Sequence, residues 1–326
     1  MTSKPSPRVQ PEPGLPARVT VYEVGPRDGL QAETDIIPAG VKAELCRRLY
    51  AAGSRDLEVT SFVPPTWIPQ LADAAEVVAA VEVPEGARAV ALVPNLRGLQ
   101  RAIDAGIREV AVVVSATESF AKANLNTTRT GAIDRATEVI AAATAESIPV
   151  RGYVSMAFGD PWEGQVDTAA VTSAATALHD AGARTIALGD TIGVATPGLT
   201  TRVVTETLAA GIPLSGVALH LHDTYGQSLA NVHAALLLGV AEFDASVGGL
   251  GRCPYAKGAT GNLATEDLVW MLHGLGIETG LDLGALAATT EWLARVRGIR
   301  APSNVARALA AAGLDTPDTA QEAATP

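Results

Sequence analysis

The sequence predicts an α/β fold, a (β/α)8 TIM barrel with extra C-terminal helices. Three observations predict it. Eight short β-branched or apolar runs recur along 326 residues, each ended by Gly, Pro, Asp or Ser. Between them lie Ala/Leu-rich stretches whose apolar residues recur at three- and four-residue spacing, and these close on Gly, a usual helix stop. Eight strand-then-helix units describe a closed barrel. The third observation is negative: no G-x-G-x-x-G follows the first run and no G-x-x-x-x-G-K-[ST] occurs, which disfavours the rival doubly wound nucleotide-binding sheet.

Residues 1–16, MTSKPSPRVQPEPGLP, carry five prolines and few apolar side chains and are expected to form a disordered leader. A single barrel domain is expected over 17–312. Its strands are RVTVYEVG (18–25), DLEVTSF (56–62), RAVALV (88–93), EVAVVVSA (109–116), VRGYVSMAF (150–158), TIALGD (185–190), GVALHLHD (216–223) and EFDASVGG (242–249). Intervening segments such as AGVKAELCRRLYAAG and LTTRVVTETLAAG supply the outer helices. Residues 263–312 read as the eighth helix plus added helices, and 313–326 as a frayed tail.

A net charge of −11 argues against nucleic acid as a partner, because long-range repulsion opposes any phosphate surface. No apolar stretch is long enough to cross a bilayer without interruption by Gly, Pro or charge, and no signal-peptide layout opens the chain. The expectation is a soluble, cytoplasmic protein with no membrane partner. Cys46 and Cys253 lie too far apart for a CxxC site, which fits a reduced compartment.

In such a barrel the chemistry sits at the C-terminal strand ends. There the sequence places Arg27 and Asp28 after strand 1, Glu58 and Ser61 on strand 2, Asp190 on strand 6, and His220, His222 and Asp223 on strand 7. Side chains two apart on a strand share a face, so both imidazoles project into the barrel mouth and can share a divalent ion. The plainer alternative is a pair of hydrogen-bonded core histidines. Arg27-Asp28 has its own plain reading, a turn-closing salt bridge, but the Gly25-Pro26 and Gly29 flanks fix a short loop that can aim the two apart. Asp28 could then bind the cation and Arg27 stabilise an oxyanion. The Gly-rich stretch GGLGRCPYAKGATGN (248–262) reads as a lid carrying Cys253 between Arg252 and Lys257, a reactive thiol or a loop cysteine without a role.

The stretches EVGPRDGLQAE, LEVTSFVPPTWIPQLAD, SATESFAKANLN, RGYVSMAFGDPWEG, ALGDTIGVATPG, HLHDTYGQSLAN and ASVGGLGRCPYAKGATGNLATEDLV stand in one order over residues 18–300. In that order and spacing the chain resembles the 3-hydroxy-3-methylglutaryl-CoA lyase family of metal-dependent barrel lyases. The resemblance implies that Asp28, His220, His222 and Asn262 hold Mg2+ or Mn2+, with no organic cofactor. It makes Cys253 the catalytic thiol and Arg27 the group facing the thioester oxygen. Glu58, Asp190 and His220 become acid/base or orienting residues, and Asp223 is left a supporting or strand-end role, with orientation of an imidazole the favoured one. Gln31, Ser61, Lys122 and Asn124 are expected to contact an acyl-CoA substrate. The reaction implied is cleavage of a 3-hydroxyacyl thioester between C2 and C3, releasing acetyl-CoA and a keto acid, a step known from leucine catabolism.

Two departures from the family pattern bear on the substrate. Arg252 stands beside the thiol where Gly is usual, and Met156, Phe158 and Trp162 are expected to reshape the acyl pocket. Citramalyl-CoA or a longer-branched 3-hydroxyglutaryl thioester is therefore an alternative substrate. A 4-hydroxy-2-oxoacid aldolase, a Claisen-type synthase and a silent metal-binding barrel are alternative functions. An apolar face on the terminal helices is compatible with a homodimer.

Overall fold

The computed structural model describes residues 5–251, 261–298 and 302–312. Cys253 and most of the Gly-rich stretch expected as a lid lie outside these residues. Eight parallel strands close into a barrel in chain order: β1 (Thr20–Glu23), β2 (Asp56–Ser61), β3 (Arg88–Leu92), β4 (Glu109–Ser115), β5 (Val150–Ser155), β6 (Thr185–Asp190), β7 (Val217–Leu221) and β8 (Glu242–Ala245). Each expected strand is present, trimmed at its ends. The residues trimmed at the C-terminal ends, Gly25 and Met156–Phe158 among them, have left the ladder to build loops over the mouth.

The helices that follow are α1 (Ala39–Ala51), α2 (Ala74–Ala80), α3 (Leu96–Asp104), α4 (Glu118–Leu125), α5 (Arg129–Ala145), α6 (Thr168–Asp180), α7 (Pro197–Ala209), α8 (Ser228–Leu236) and α9 (Thr265–Gly274). Two more, α10 (Leu283–Arg297) and α11 (Asn304–Ala311), are the added C-terminal helices. Local chemistry sets several boundaries. Asn95, Thr128, Asp167 and Asp282 accept backbone N–H groups at the starts of α3, α5, α6 and α10. At the end of α1, Gly53 adopts φ 100°, and a Cβ there would collide with the carbonyl of Gly280, so the stop has to be glycine.

The main core lies between strands and helices, where Leu45, Val59, Val112, Ile140, Leu178 and Leu219 are almost wholly buried. A second, smaller core fills the barrel itself with Tyr22, Val90, Leu92, Ala111, Tyr153, Ala187 and Ala218. The interior also holds buried charge, including Glu58, Arg151 and Asp244. Residues 5–16, expected as a disordered leader, carry no helix or strand and run along α9, where the Gln10 N–H donates to the Gly274 carbonyl at 2.8 Å. No helix among the described residues is long and apolar enough to cross a membrane.

Candidate active site

After β1 the chain makes one wide helical turn, Gly25–Gly29, in which the Val24 carbonyl accepts from the N–H groups of Arg27, Asp28 and Gly29. A Cβ on Gly29 would stand 2.7 Å from Ser246 Oγ, so the turn packs closely on the β8 loop. Pro26 fixes the entry. The result turns Arg27 and Asp28 toward the barrel mouth. Arg27 Nε donates to Glu58 Oε1 on β2, and Nη1 donates to Asp28 Oδ1 at 2.6 Å. The salt bridge of the plainer reading therefore forms, but as part of a larger network. The second Glu58 oxygen accepts from Tyr153 at 2.9 Å and from Tyr22 at 3.2 Å.

His220 and His222 share a face of β7 and its extension, with ring centroids 5.3 Å apart and both rings buried. Asp28, His220 and His222 each offer a ligand atom, and the three atoms lie within 4.8 Å of one another. Asn262 joins them through a backbone bridge to His222. Its Nδ2 donates to Asp28 Oδ2 at 2.8 Å and to the Leu250 carbonyl at 2.9 Å, which leaves Oδ1 buried without a hydrogen-bond partner among the described residues. His222 Nδ1 is buried and unpartnered in the same sense. Orphaned acceptors beside a carboxylate and a second imidazole are what a hard divalent cation would satisfy, so the donor set fits such an ion.

The electrostatics agree. Burial brings the His222 pKa down to about 4, with the neighbouring His220 adding to the effect, so His222 is neutral and able to ligate. Burial works against the charge on Asp28, yet Arg27 and the two imidazoles hold its pKa down to about 2. For His220 burial is outweighed by the hydrogen bond to Asp244 and by the charges of Asp244 and Asp28, and its pKa is raised. Asp244 Oδ2 lies 3.0 Å from His220 Nδ1. A carboxylate only accepts, so Nδ1 carries the hydrogen and Nε2 is the free nitrogen.

These residues open into a cavity of about 770 Å³ lined by Arg27, Asp28, Gln31, Lys122, Asn124, His220 and His222. Gln31, Lys122 and Asn124, expected to contact substrate, thus share one cavity with the imidazoles. Other expected residues sit elsewhere. Ser61 Oγ donates to the Leu92 carbonyl at 3.0 Å and is not among the lining residues. Asp190 accepts the Val194 N–H on one oxygen at 2.9 Å and the Ala195 N–H on the other at 3.0 Å. Asp223 Oδ1 accepts both the N–H and the hydroxyl of Ser228, the first residue of α8, rather than an imidazole N–H. Met156, Phe158 and Trp162 do not line this cavity, although Met156 packs with Phe120, which does.

Four residues of the network went unread in the sequence: Tyr22, Tyr153, Asp244 and, bonded to Asp244, Arg151. The signal was there. An aspartate in the middle of EFDAS, and an Arg and a Tyr two apart in VRGYV, are polar groups at inward strand positions that need partners.

The HMGL-like family model matches residues 18–293. The chain belongs to the HMGL-like family. It is 48% identical over 296 residues to the mitochondrial hydroxymethylglutaryl-CoA lyase of Arabidopsis thaliana, a match over 91% of this chain and 63% of that longer protein. It is 47% identical to the cytoplasmic 3-hydroxy-3-methylglutaryl-CoA lyase of Mus musculus, over 91% of this chain and 86% of that one. A Pseudomonas aeruginosa relative named 3-hydroxy-3-isohexenylglutaryl-CoA/hydroxy-methylglutaryl-CoA lyase is 46% identical, over 91% and 99%. Among solved structures, the hydroxymethylglutaryl-CoA lyase of P. aeruginosa superposes with TM-score 0.89 at 45% identity, over 92% of this chain and 99% of that one. An HMG-CoA lyase of Acinetobacter baumannii in complex with coenzyme A and 3-methylmalate gives 0.85 at 35%, over 95% and 98%. This family member is a carbon–carbon lyase of the hydroxymethylglutaryl-CoA lyase type.

Proposed function

We propose that the protein cleaves the C2–C3 bond of 3-hydroxy-3-methylglutaryl-CoA to acetyl-CoA and acetoacetate, with Mg2+ or Mn2+ held by Asp28, His220, His222 and Asn262. The observation that carries this reading is the meeting, in one cavity mouth, of an Arg27–Glu58 pair with a cluster of two imidazoles, a carboxylate and an orphaned amide oxygen. When bound, the cation supplies Lewis acidity toward the C3 hydroxyl and the acyl oxygen of the substrate. The C3 hydroxyl loses its proton, the C2–C3 electron pair moves to C2, and the ketone and the acetyl-CoA enolate separate.

Of His220 and Asp190, both expected among the acid/base or orienting residues, His220 faces the cavity, whereas each Asp190 oxygen accepts a loop amide. His220 is therefore the acceptor that fits; its Nε2 has one lone pair, so it would take the proton only when that lone pair is not given to the cation. Arg27, fixed by Glu58, stabilises the enolate oxygen, and Cys253 returns a proton to C2. Lys122, Asn124 and Arg135 line the same cavity, and the two cationic side chains suit the phosphates of the CoA moiety. The compartment proposed is the cytoplasm. Incubation with Mg2+ and 3-hydroxy-3-methylglutaryl-CoA should release acetyl-CoA, and release from neither this thioester nor its branched analogues would sink the proposal.

A second substrate reading has its own support. Val63, Leu92, Val113 and Phe120 give the cavity an apolar wall, and Ile36 and Trp67 continue it at the rim with 58% and 49% exposure. A C3 substituent longer than methyl, as in the name of the Pseudomonas relative, would bury its hydrocarbon there at about 0.8 kcal/mol per CH2. A ratio of kcat/KM for the longer-branched over the methyl thioester above one would favour this reading.

A further inference from the structure

Asp244, the carboxylate that orients His220, is itself held. It lies opposite His220 in the β7–β8 register, and its second oxygen accepts from Arg151 Nη2, while Arg151 Nη1 reaches Glu242 on the same strand. Arg151 comes from β5, three strands away from β8 around the barrel, and is 3% exposed. Its guanidinium crosses the interior between two aromatic rings, with its carbon 4.1 Å from the Tyr22 centroid and 5.3 Å from that of Tyr153. Those same two phenols donate to Glu58, the partner of Arg27. One cation therefore stands behind both halves of the site.

We propose that Arg151 is a positioning residue, which fixes Asp244 by a fork to two β8 carboxylates so that His220 presents Nε2 to the cation site. The proposal rests on the metal reading given under Proposed function. The physical reason is geometric. A carboxylate bonded on one oxygen only can rotate about its Cβ–Cγ bond, and the imidazole it bonds would rotate with it. A planar fork fixed at two points and flanked by aromatic faces removes that freedom. Groups that orient a ligating imidazole typically change metal affinity about 10- to 100-fold when removed.

The test is the dissociation constant for Mn2+, measured on the full-length protein by calorimetry or by the loss of the free Mn2+ resonance signal. Arg151→Met should raise it about 10- to 100-fold. Arg151→Lys, which keeps charge but not the fork, should fall between that and the wild type. Asp244→Asn should match Arg151→Met, and the double variant should be no weaker than Asp244→Asn alone, because both changes act through one carboxylate. Circular dichroism on the same samples reports folding. A folded Arg151→Met protein that binds Mn2+ like the wild type overturns the inference, as do losses that multiply in the double variant. If Arg151→Met does not fold, Arg151→Lys and Asp244→Asn carry the test, and wild-type affinity in both overturns it. Failure of the wild type itself to bind Mn2+ overturns the metal reading and this inference together.

Discussion

Arg27 and Asp190 look alike in the sequence, each a charged residue at a strand end, and the structure gives them different surroundings. Arg27 lines the cavity with its guanidinium anchored on Glu58. Arg27→Met should lower kcat about 10²- to 10³-fold, the scale for losing one oxyanion-stabilising donor, with a smaller change in KM. Steady-state kinetics on the metal-loaded enzyme check this. Asp190→Asn should act on stability instead. The amide offers one oxygen where two N–H groups need acceptors, and its NH2 would face a backbone donor. A loss of about 1–3 kcal/mol in urea unfolding is expected, with kcat per folded enzyme within a few-fold of the wild type. A collapse of kcat with unchanged stability would restore Asp190 to the chemistry. Cys253→Ala tests the proton donor named by the sequence: turnover should fall about 10²- to 10⁴-fold while Mn2+ affinity stays unchanged.

The short turn after β1 and the segment entering α9 carry the proposed ligands that are not histidines, and one side chain ties them together. Glu23 Oε1 accepts the Gly25 N–H at 2.8 Å and the Val247 N–H at 2.9 Å, while Oε2 accepts the Thr265 hydroxyl at 2.6 Å. Glu266 does similar work one step away, holding the Gly248 N–H and Thr290. The eight strands and the H-x-H pair were legible because period-two alternation and strand-end position are local properties. The fourth member, Asn262, was not legible from spacing. It lies 40 residues from His222 in the chain and meets it through a bridge that only the closed barrel creates. Asp223 shows the converse. Its adjacency to His222 suggested a shared task, but its carboxylate accepts the N–H and hydroxyl of Ser228 five residues on, at the start of α8, and that local bond won.

Buried carboxylates without a basic partner give the whole molecule a pH signature. Burial raises the Glu23 pKa from 4.5 to about 7 and that of Glu266 likewise. A group whose folded pKa is raised gives its full stability below the unfolded value, near 4.5, and loses it as pH rises through about 7. Each contributes roughly 3 kcal/mol to that decline. Asp190, raised to about 6, adds to it, and His222, lowered to about 4, opposes it by favouring the fold as pH rises from about 4 to 6.5. The metal-free protein should therefore unfold at lower urea at pH 8 than at pH 5. Glu23→Gln, which cannot ionise, should narrow the difference; a wild-type midpoint that rises between those two values would contradict the sign.

The sequence by itself determined the barrel, its eight strands, the direction in which the imidazoles face and, through ordered motifs, the family. Each of these follows from residue type and short-range periodicity, which tertiary packing preserves. Only the tertiary structure decided which carboxylate orients His220, which polar groups are spent on loop amides, and that one arginine from β5 stands behind both halves of the site. The first and last of these rest on contacts between distant residues, His220 with Asp244 24 positions apart, Tyr153 with Glu58 95 apart and Arg151 with Asp244 93 apart, whereas the loop-amide contacts of Asp190 are local. Closing a sheet on itself brings such residues face to face in its interior, and no pattern along a single strand records which of them will meet.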